Sequence, residues 1–214
     1  MISNERRTTF INSFEEGNSP FLDQIEQEAL EGNVPIIRKD MQSFLKFILS
    51  TRKPEDILEV GTATGFSSLL MAEYSKENAK ITTIEKYEKR IPIAKENFHR
   101  SDFGHKITLL EGDATEILPT LSGQYDLIFM DAAKGQYIHF LPEVLRLLKN
   151  GGMLITDNVL QDGDVMESRY AVCRRNRTIH TRMREYLYEL KHNPELDTII
   201  LTVGDGISVS VKND

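Results

Sequence analysis

Apolar and polar positions alternate along this chain in blocks rather than residue by residue. Four short apolar runs are each followed by longer text with helical spacing. DILEV (56–60) precedes GTATGFSSLLMAEYS, ITTIE (81–85) precedes KYEKRIPIAKENFHRSDF, and ITLLEG (107–112) precedes DATEILPTL. DLIFMD (126–131) precedes GQYIHFLPEVLRLLKNGG, and MLITD (153–157) follows it. Strands alternating with helices at this spacing predict βαβ units and a parallel sheet. The runs are nearly continuous in apolar residues, as expected of strands covered on both faces. Gly151-Gly152, after Leu147, Leu148 and Lys149, predicts a helix stop.

The two ends of the chain read differently. The first 50 residues predict a cap of two helices with VPII (34–37) between them. Residues 168–192 predict one long basic helix with Tyr186, Leu187 and Leu190 on one side. TIILTV (198–203), GDG and ISVSV (207–211) predict two strands joined by a tight turn, hence an antiparallel pair closing a mostly parallel sheet. No repeat, low-complexity segment or linker interrupts the 214 residues, so residues 1–214 are expected to form a single domain.

Composition narrows the class. Apolar residues make up 40% and charged residues 28%, ordinary for a globular protein. The longest apolar stretch falls far short of a membrane span, and the polar N-terminus carries no signal-peptide core. The lone Cys173 excludes an internal disulfide and a cysteine-based metal site, and the cytoplasm is the expected compartment. Net charge is −7 but uneven: residues 169–192 hold seven cations against two carboxylates, net +5, so the remainder carries −12. That asymmetry points to a local anionic partner.

The candidate chemistry sits at strand ends. ILEVGTATGFSS (57–68) is a glycine-rich turn of the form E-x-G-x-x-x-G, which lets the backbone turn sharply beside a ligand. Alone it is equally a tight βα turn without one. Glu85 ends the second run, where a carboxylate can accept from ribose hydroxyls, and Gly112-Asp113-Ala114 follows the third, where an adenine can lie. Without a phosphate-binding signature, this nucleoside site fits S-adenosylmethionine (SAM) better than NAD or ATP. Asp131 closes the fourth run, and Asp157 and Asn158 close the fifth. Two carboxylates and an amide oxygen are hard ligands suited to Mg²⁺ or Mn²⁺. The plainer alternative for Asp157-Asn158 is a loop cap. Lys134, next to such a cation and shielded from water, would favour its neutral form and serve as a general base; an isolated surface lysine is the alternative.

In this order and spacing, LEVGTATGFSS, IEK, EGDA, DLIFMDAAKGQY and LITDNVL resemble the cation-dependent O-methyltransferases, the group that includes catechol and caffeoyl-CoA O-methyltransferases. The resemblance runs from about Val34 to the C-terminus. It implies that Asp131, Asp157 and Asn158 hold the metal and that Lys134 is the base. It implies that Glu85 binds ribose, that Asp113 and Ala114 bind adenine, that Glu59, Gly61 and Ser67 bind the methionine end, and that Val34 lies near it. It implies that Asp131 borders the cofactor as well. It further implies a seven-stranded Rossmann-like sheet with helices on both faces, and a homodimer. GGMLITDNVL, DAAKGQY and the tail RRNRTIHTRMREYLYELKHNPELDTIILTVGDGISVSVK resemble the bacterial tRNA 5-hydroxyuridine methyltransferases, which implies a tRNA partner and methylation of wobble 5-hydroxyuridine to 5-methoxyuridine.

Chemistry is compatible with that acceptor: the 5-hydroxyl and O4 of 5-hydroxyuridine are adjacent oxygens, like those of a catechol, and can chelate one metal ion. Arg174, Arg175, Arg177, Arg182 and Arg184 are the candidate contacts to an anticodon stem-loop. The alternative is a solvated helix face with intrahelical pairs such as Arg182 with Glu185. The competing functions are a small-molecule O-methyltransferase acting on catechols or other vicinal diols and, from another class, a non-catalytic SAM-binding protein.

Overall fold

The computed structural model describes residues 4–214; residues 1–3 of the expected N-terminal cap lie outside the described residues. Seven strands form one sheet: β1 (Asp56–Val60), β2 (Lys80–Glu85), β3 (Ile107–Glu111), β4 (Tyr125–Met130), β5 (Leu148–Thr156), β6 (Leu196–Leu201) and β7 (Ile207–Lys212). Their spatial order is β3-β2-β1-β4-β5-β7-β6. The first five strands pair in parallel, and β7 runs antiparallel between β5 and β6.

Alternate side chains of each strand face opposite layers. Ile57, Ile81, Leu127, Phe129 and Ile155 meet α2 (Pro20–Glu31), α3 (Lys39–Arg52), α4 (Phe66–Tyr74) and α5 (Ile91–Arg100). Leu58, Val60, Ile84, Ile128, Met130 and Leu154 meet α6 (Ala114–Ile117), α7 (Tyr137–Leu147) and α8 (Arg177–His192). Burial on both faces explains why these strands are apolar without a break. It also leaves their carboxyl ends as the place where polar side chains emerge.

Three expectations are corrected. The N-terminal region holds three helices, not two, because α1 (Asn4–Asn12) precedes the pair that flanks residues 34–37. Gly151 and Gly152 stop no helix. Leu147 already ends α7, and both glycines lie inside β5, where Lys149 is drawn to Asp56 and Asp126 at 3.0 and 2.9 Å. Finally, residues 168–176 are not helical apart from a single 3-10 turn at Arg174–Asn176, so the basic helix starts at Arg177. Its own side chains compete for the loop backbone: Arg177 donates to the carbonyls of Val172 and Tyr170, which therefore do not enter a helical ladder.

Candidate active site

The carboxyl ends of β1, β2, β4 and β5 open on a cavity of about 690 Å³, walled on the far side by Pro35, Ile36, Ile37, Arg38 and Met41 before and within α3. The turn after β1 forms its floor. Gly61 has φ +106°, and a Cβ there would stand 2.1 Å from the carbonyl oxygen of Asp131, so only glycine allows β1 and β4 to approach this closely. The turn is fixed from β2: Gly61 and Thr62 donate to the Ile84 carbonyl, and Ala63 N–H donates to Glu85 Oε2 at 2.7 Å. Glu85 Oε1 accepts from Tyr87 N–H at 2.8 Å. Each carboxylate oxygen keeps a second acceptor position, so Glu85 remains able to take ribose hydroxyls from the cavity. Asp113 and Ala114 line the same wall. Asp113 caps α6 through Thr115 N–H, and this bond, ahead of the nearby Lys86, holds its carboxyl below the usual range.

Three expected cofactor residues stand elsewhere. Glu59 is fully buried behind the turn, where it accepts from the hydroxyls of Ser67, Ser68 and Thr83. Burial, only partly offset by these three bonds, pushes its carboxyl up to about 7. Neither Glu59 nor Ser67 lines the cavity; together they brace the turn from inside the sheet. Val34 is also outside the lining, tied by its N–H to Ala29, while its neighbours Pro35 to Arg38 form the wall.

Asp131 and Asp157 stand at neighbouring strand ends on the cavity. Asp131 N–H bonds to Val60 and Asp157 N–H to Met130, extending the strand ladder by one step and bringing both side chains to adjacent strand ends. Asn158, with φ +60°, turns back so that its amide donates to Asp131 Oδ1 at 3.2 Å. Burial raises both carboxyls above the usual range, and Asp131 raises Asp157 further. Asp157 is 4% exposed. A buried pair of like charges with an amide beside it is a donor set that a divalent cation would relieve, so the residues present fit Mg²⁺ or Mn²⁺. Among the described residues no three carboxylates, imidazoles or thiolates make a complete metal set; the Asn158 amide oxygen would be the third donor.

Sequence reasoning missed one residue here. Asp205, in the β6–β7 turn, accepts from Asp162 N–H at 2.6 Å and lies 3.4 Å from Lys134 Nζ. It is buried and forms part of the cavity wall. Its only signal was the GDG of a tight turn. Tyr137 is fully buried, with its hydroxyl 3.2 Å from both the N–H and the C=O of Ala132 and 3.4 Å from the Asp157 carbonyl. It thus ties the loop carrying Asp131 to the end of β5. Phe140 joins the cavity wall.

The basic segment divides. Arg177 donates to Val172 and Tyr170, Arg184 to Val165, and Arg182 to the Gly135 carbonyl at 3.0 Å, beside Lys134. No Arg182–Glu185 pair forms among the described residues. These three guanidiniums each donate to backbone carbonyls, whereas Arg174 and Arg175 are exposed.

A mostly parallel sheet with a glycine turn after β1, an acid at the end of β2 and a cavity across the strand ends is the nucleoside-binding arrangement of an open α/β fold. The O-methyltransferase family profile matches residues 13–213, and the chain belongs to that family. It is 30% identical over 191 residues to caffeoyl-CoA O-methyltransferase 2 of Populus trichocarpa, covering 83% of this chain and 74% of that one. With the catechol O-methyltransferase of Niastella koreensis it shares 33% identity over 128 residues, 58% of each chain. The crystal structure of an SAH-bound methyltransferase from Podospora anserina superposes with a TM-score of 0.88 at 26% identity, covering 100% of this chain and 98% of that one. Among the described residues no helix is long and apolar enough to cross a membrane.

Proposed function

We propose that this O-methyltransferase uses SAM and a divalent cation to methylate the 5-hydroxyl of 5-hydroxyuridine at the wobble position of tRNA, giving 5-methoxyuridine. The observation that carries the chemistry is the meeting of Asp131, Asp157, Asn158 and Lys134 at one corner of the cavity. Asp131, Asp157 and Asn158 would hold the cation, and Glu85, Asp113 and Ala114 the adenosine. When bound, SAM supplies the methyl electrophile and the cation lowers the pKa of the acceptor hydroxyl and orients it. Lys134 Nζ, half-buried, receives the hydroxyl proton as the new oxygen–carbon bond forms and the carbon–sulfur bond breaks. Asp205 and Tyr137 hold Lys134 and the two acid-bearing loops in place. The cavity's enclosure on both sides keeps acceptor and methyl donor in register.

The tRNA assignment is supported by exposed guanidiniums, Arg174 and Arg175 among them, on the loop and helix that follow the cavity residue Asn158 in an otherwise acidic protein. The catechol and caffeoyl-CoA relatives favour a second reading, a small-molecule acceptor with adjacent oxygens, processed by the same residues. Mass spectrometry of tRNA nucleosides tests the choice. Purified protein is incubated with SAM, Mg²⁺ and tRNA carrying 5-hydroxyuridine, with and without chelator. Metal-dependent 5-methoxyuridine is expected; no nucleoside product alongside a methylated catechol would replace the RNA acceptor with the small molecule.

A further inference from the structure

The loop that follows Asn158 ends in a display of side chains that neither the core nor the catalytic corner uses. Tyr170 is 88% exposed and Met166 69%. Arg169, Arg174 and Arg175 are exposed and, among the described residues, have no hydrogen-bond or ion-pair partner. The loop bearing them is nevertheless pinned. Arg184 holds Val165, and Arg177 holds Tyr170 and Val172. The buried ring of His180 lies 3.0 Å from the Glu167 carbonyl, Asn176 donates to Asp164, and Val172 is buried as an anchor. Four α8-side contacts thus fix the backbone while one phenol ring and three guanidiniums face solvent.

Position links this display to the site. The loop leaves from Asn158, which lines the cavity, and α8 reaches Gly135, next to Lys134, through Arg182. Planar rings presented on a fixed backbone stack on bases, and free guanidiniums neutralise phosphates. Tyr170 has no side walls around it, which suits a base from a folded strand rather than a small ligand enclosed in a cleft. Outside residues 169–192 the chain carries a net −12, so a polyanion is favoured at this segment over the average of the rest.

We propose that residues 166–175 form the RNA-docking surface of the enzyme, with Tyr170 stacking on a loop base next to the target nucleotide and Arg169, Arg174 and Arg175 contacting phosphates. Arg177, Arg182 and Arg184 shape this surface without touching RNA. The inference rests on the RNA acceptor proposed above and replaces the undivided arginine cluster with two groups of different role.

The test measures binding of a fluorescein-labelled anticodon stem-loop by anisotropy across a salt series, together with nucleoside products. Tyr170→Ala is expected to weaken binding about tenfold, the scale of one lost base stack. Arg174→Ala with Arg175→Ala is expected to flatten the slope of log affinity against log salt by about 1.4, for two lost contacts to single-stranded phosphates. Thermal melting checks that each variant is folded. Wild-type affinity and salt slope in these folded variants would overturn the surface, even if 5-methoxyuridine is made. Failure of the stem-loop to bind wild-type protein, with a CoA thioester binding through Tyr170 instead, would also overturn it. RNA binding that depends on Tyr170 without 5-methoxyuridine would support the surface and refute the modified-base assignment.

Discussion

Glu59→Gln should change how stability depends on pH without changing the shape of the site. Glu59 sits with no exposure among the hydroxyls of Ser67, Ser68 and Thr83, with its carboxyl raised from an ordinary 4.5 to about 7. The folded protein therefore holds a proton here over a range where the unfolded chain has released it. A raised carboxyl contributes its stability fully below pH 4.5, loses it as pH rises towards 7, and contributes none beyond. At about 1.4 kcal/mol per pH decade, the loss across that window is about 3 kcal/mol. Glutamine has nearly the same shape, and a serine hydroxyl can turn from donor to acceptor to meet its amide, so the variant keeps the packing and discards the titration. Asp131 and Asp157 add slopes of the same sign to both proteins, so the difference between the two curves reports Glu59 together with its weaker repulsion from Asp131. Urea unfolding of both proteins from pH 4.5 to 8.5 is the assay. The variant should gain about 3 kcal/mol on the wild type from one end of the window to the other. Parallel curves would refute the reasoning, because they would mean that the buried carboxyl is already ionised at low pH and is stabilised by its three hydroxyls.

Three further outcomes follow from the geometry. Asp157→Ala removes a donor of the proposed cation site and should lower methyl transfer at least on the order of 100-fold; unchanged turnover would sink the metal mechanism. Activity on tRNA should fall steeply between low and moderate salt while activity on a catechol barely changes, and equal salt response of the two would deny phosphate contacts. Arg182→Ala removes the hydrogen bond to Gly135 and should cost about 1 kcal/mol, lowering the melting temperature by about 3 °C and reducing kcat for every acceptor through Lys134; loss confined to RNA would return Arg182 to the docking surface.

The strands were legible because burial on both faces writes them as apolar runs. DILEV matches β1 residue for residue, and ITTIE, ITLLE and DLIFM fall within a residue of β2, β3 and β4. That Asp131 and Asp157 sit at strand ends was legible for the same reason, since a polar residue that breaks such a run marks where the strand stops. Gly151-Gly152 misled because glycine pairs stop helices and also fit a strand's irregular start. Asp205 was hidden because nothing local distinguishes it from a turn residue; it matters only because β7 lies beside β5, an order the sequence does not display. The arginines of residues 174–184 read as one charge cluster because charge is visible along a chain, whereas the carbonyl each guanidinium reaches is set by how α8 packs.

The placement of β7 between β5 and β6 has a consequence for how the molecule is assembled. During synthesis the first five strands can pair in parallel, yet the outer edge of β5 stays open until residues 207–212 exist and slot in, carrying the Asp205 turn onto Lys134. The cavity therefore acquires its last wall only when the antiparallel pair closes. Until then the nascent chain presents an unpaired apolar edge, Met153 to Thr156, to the ribosome surface and its chaperones.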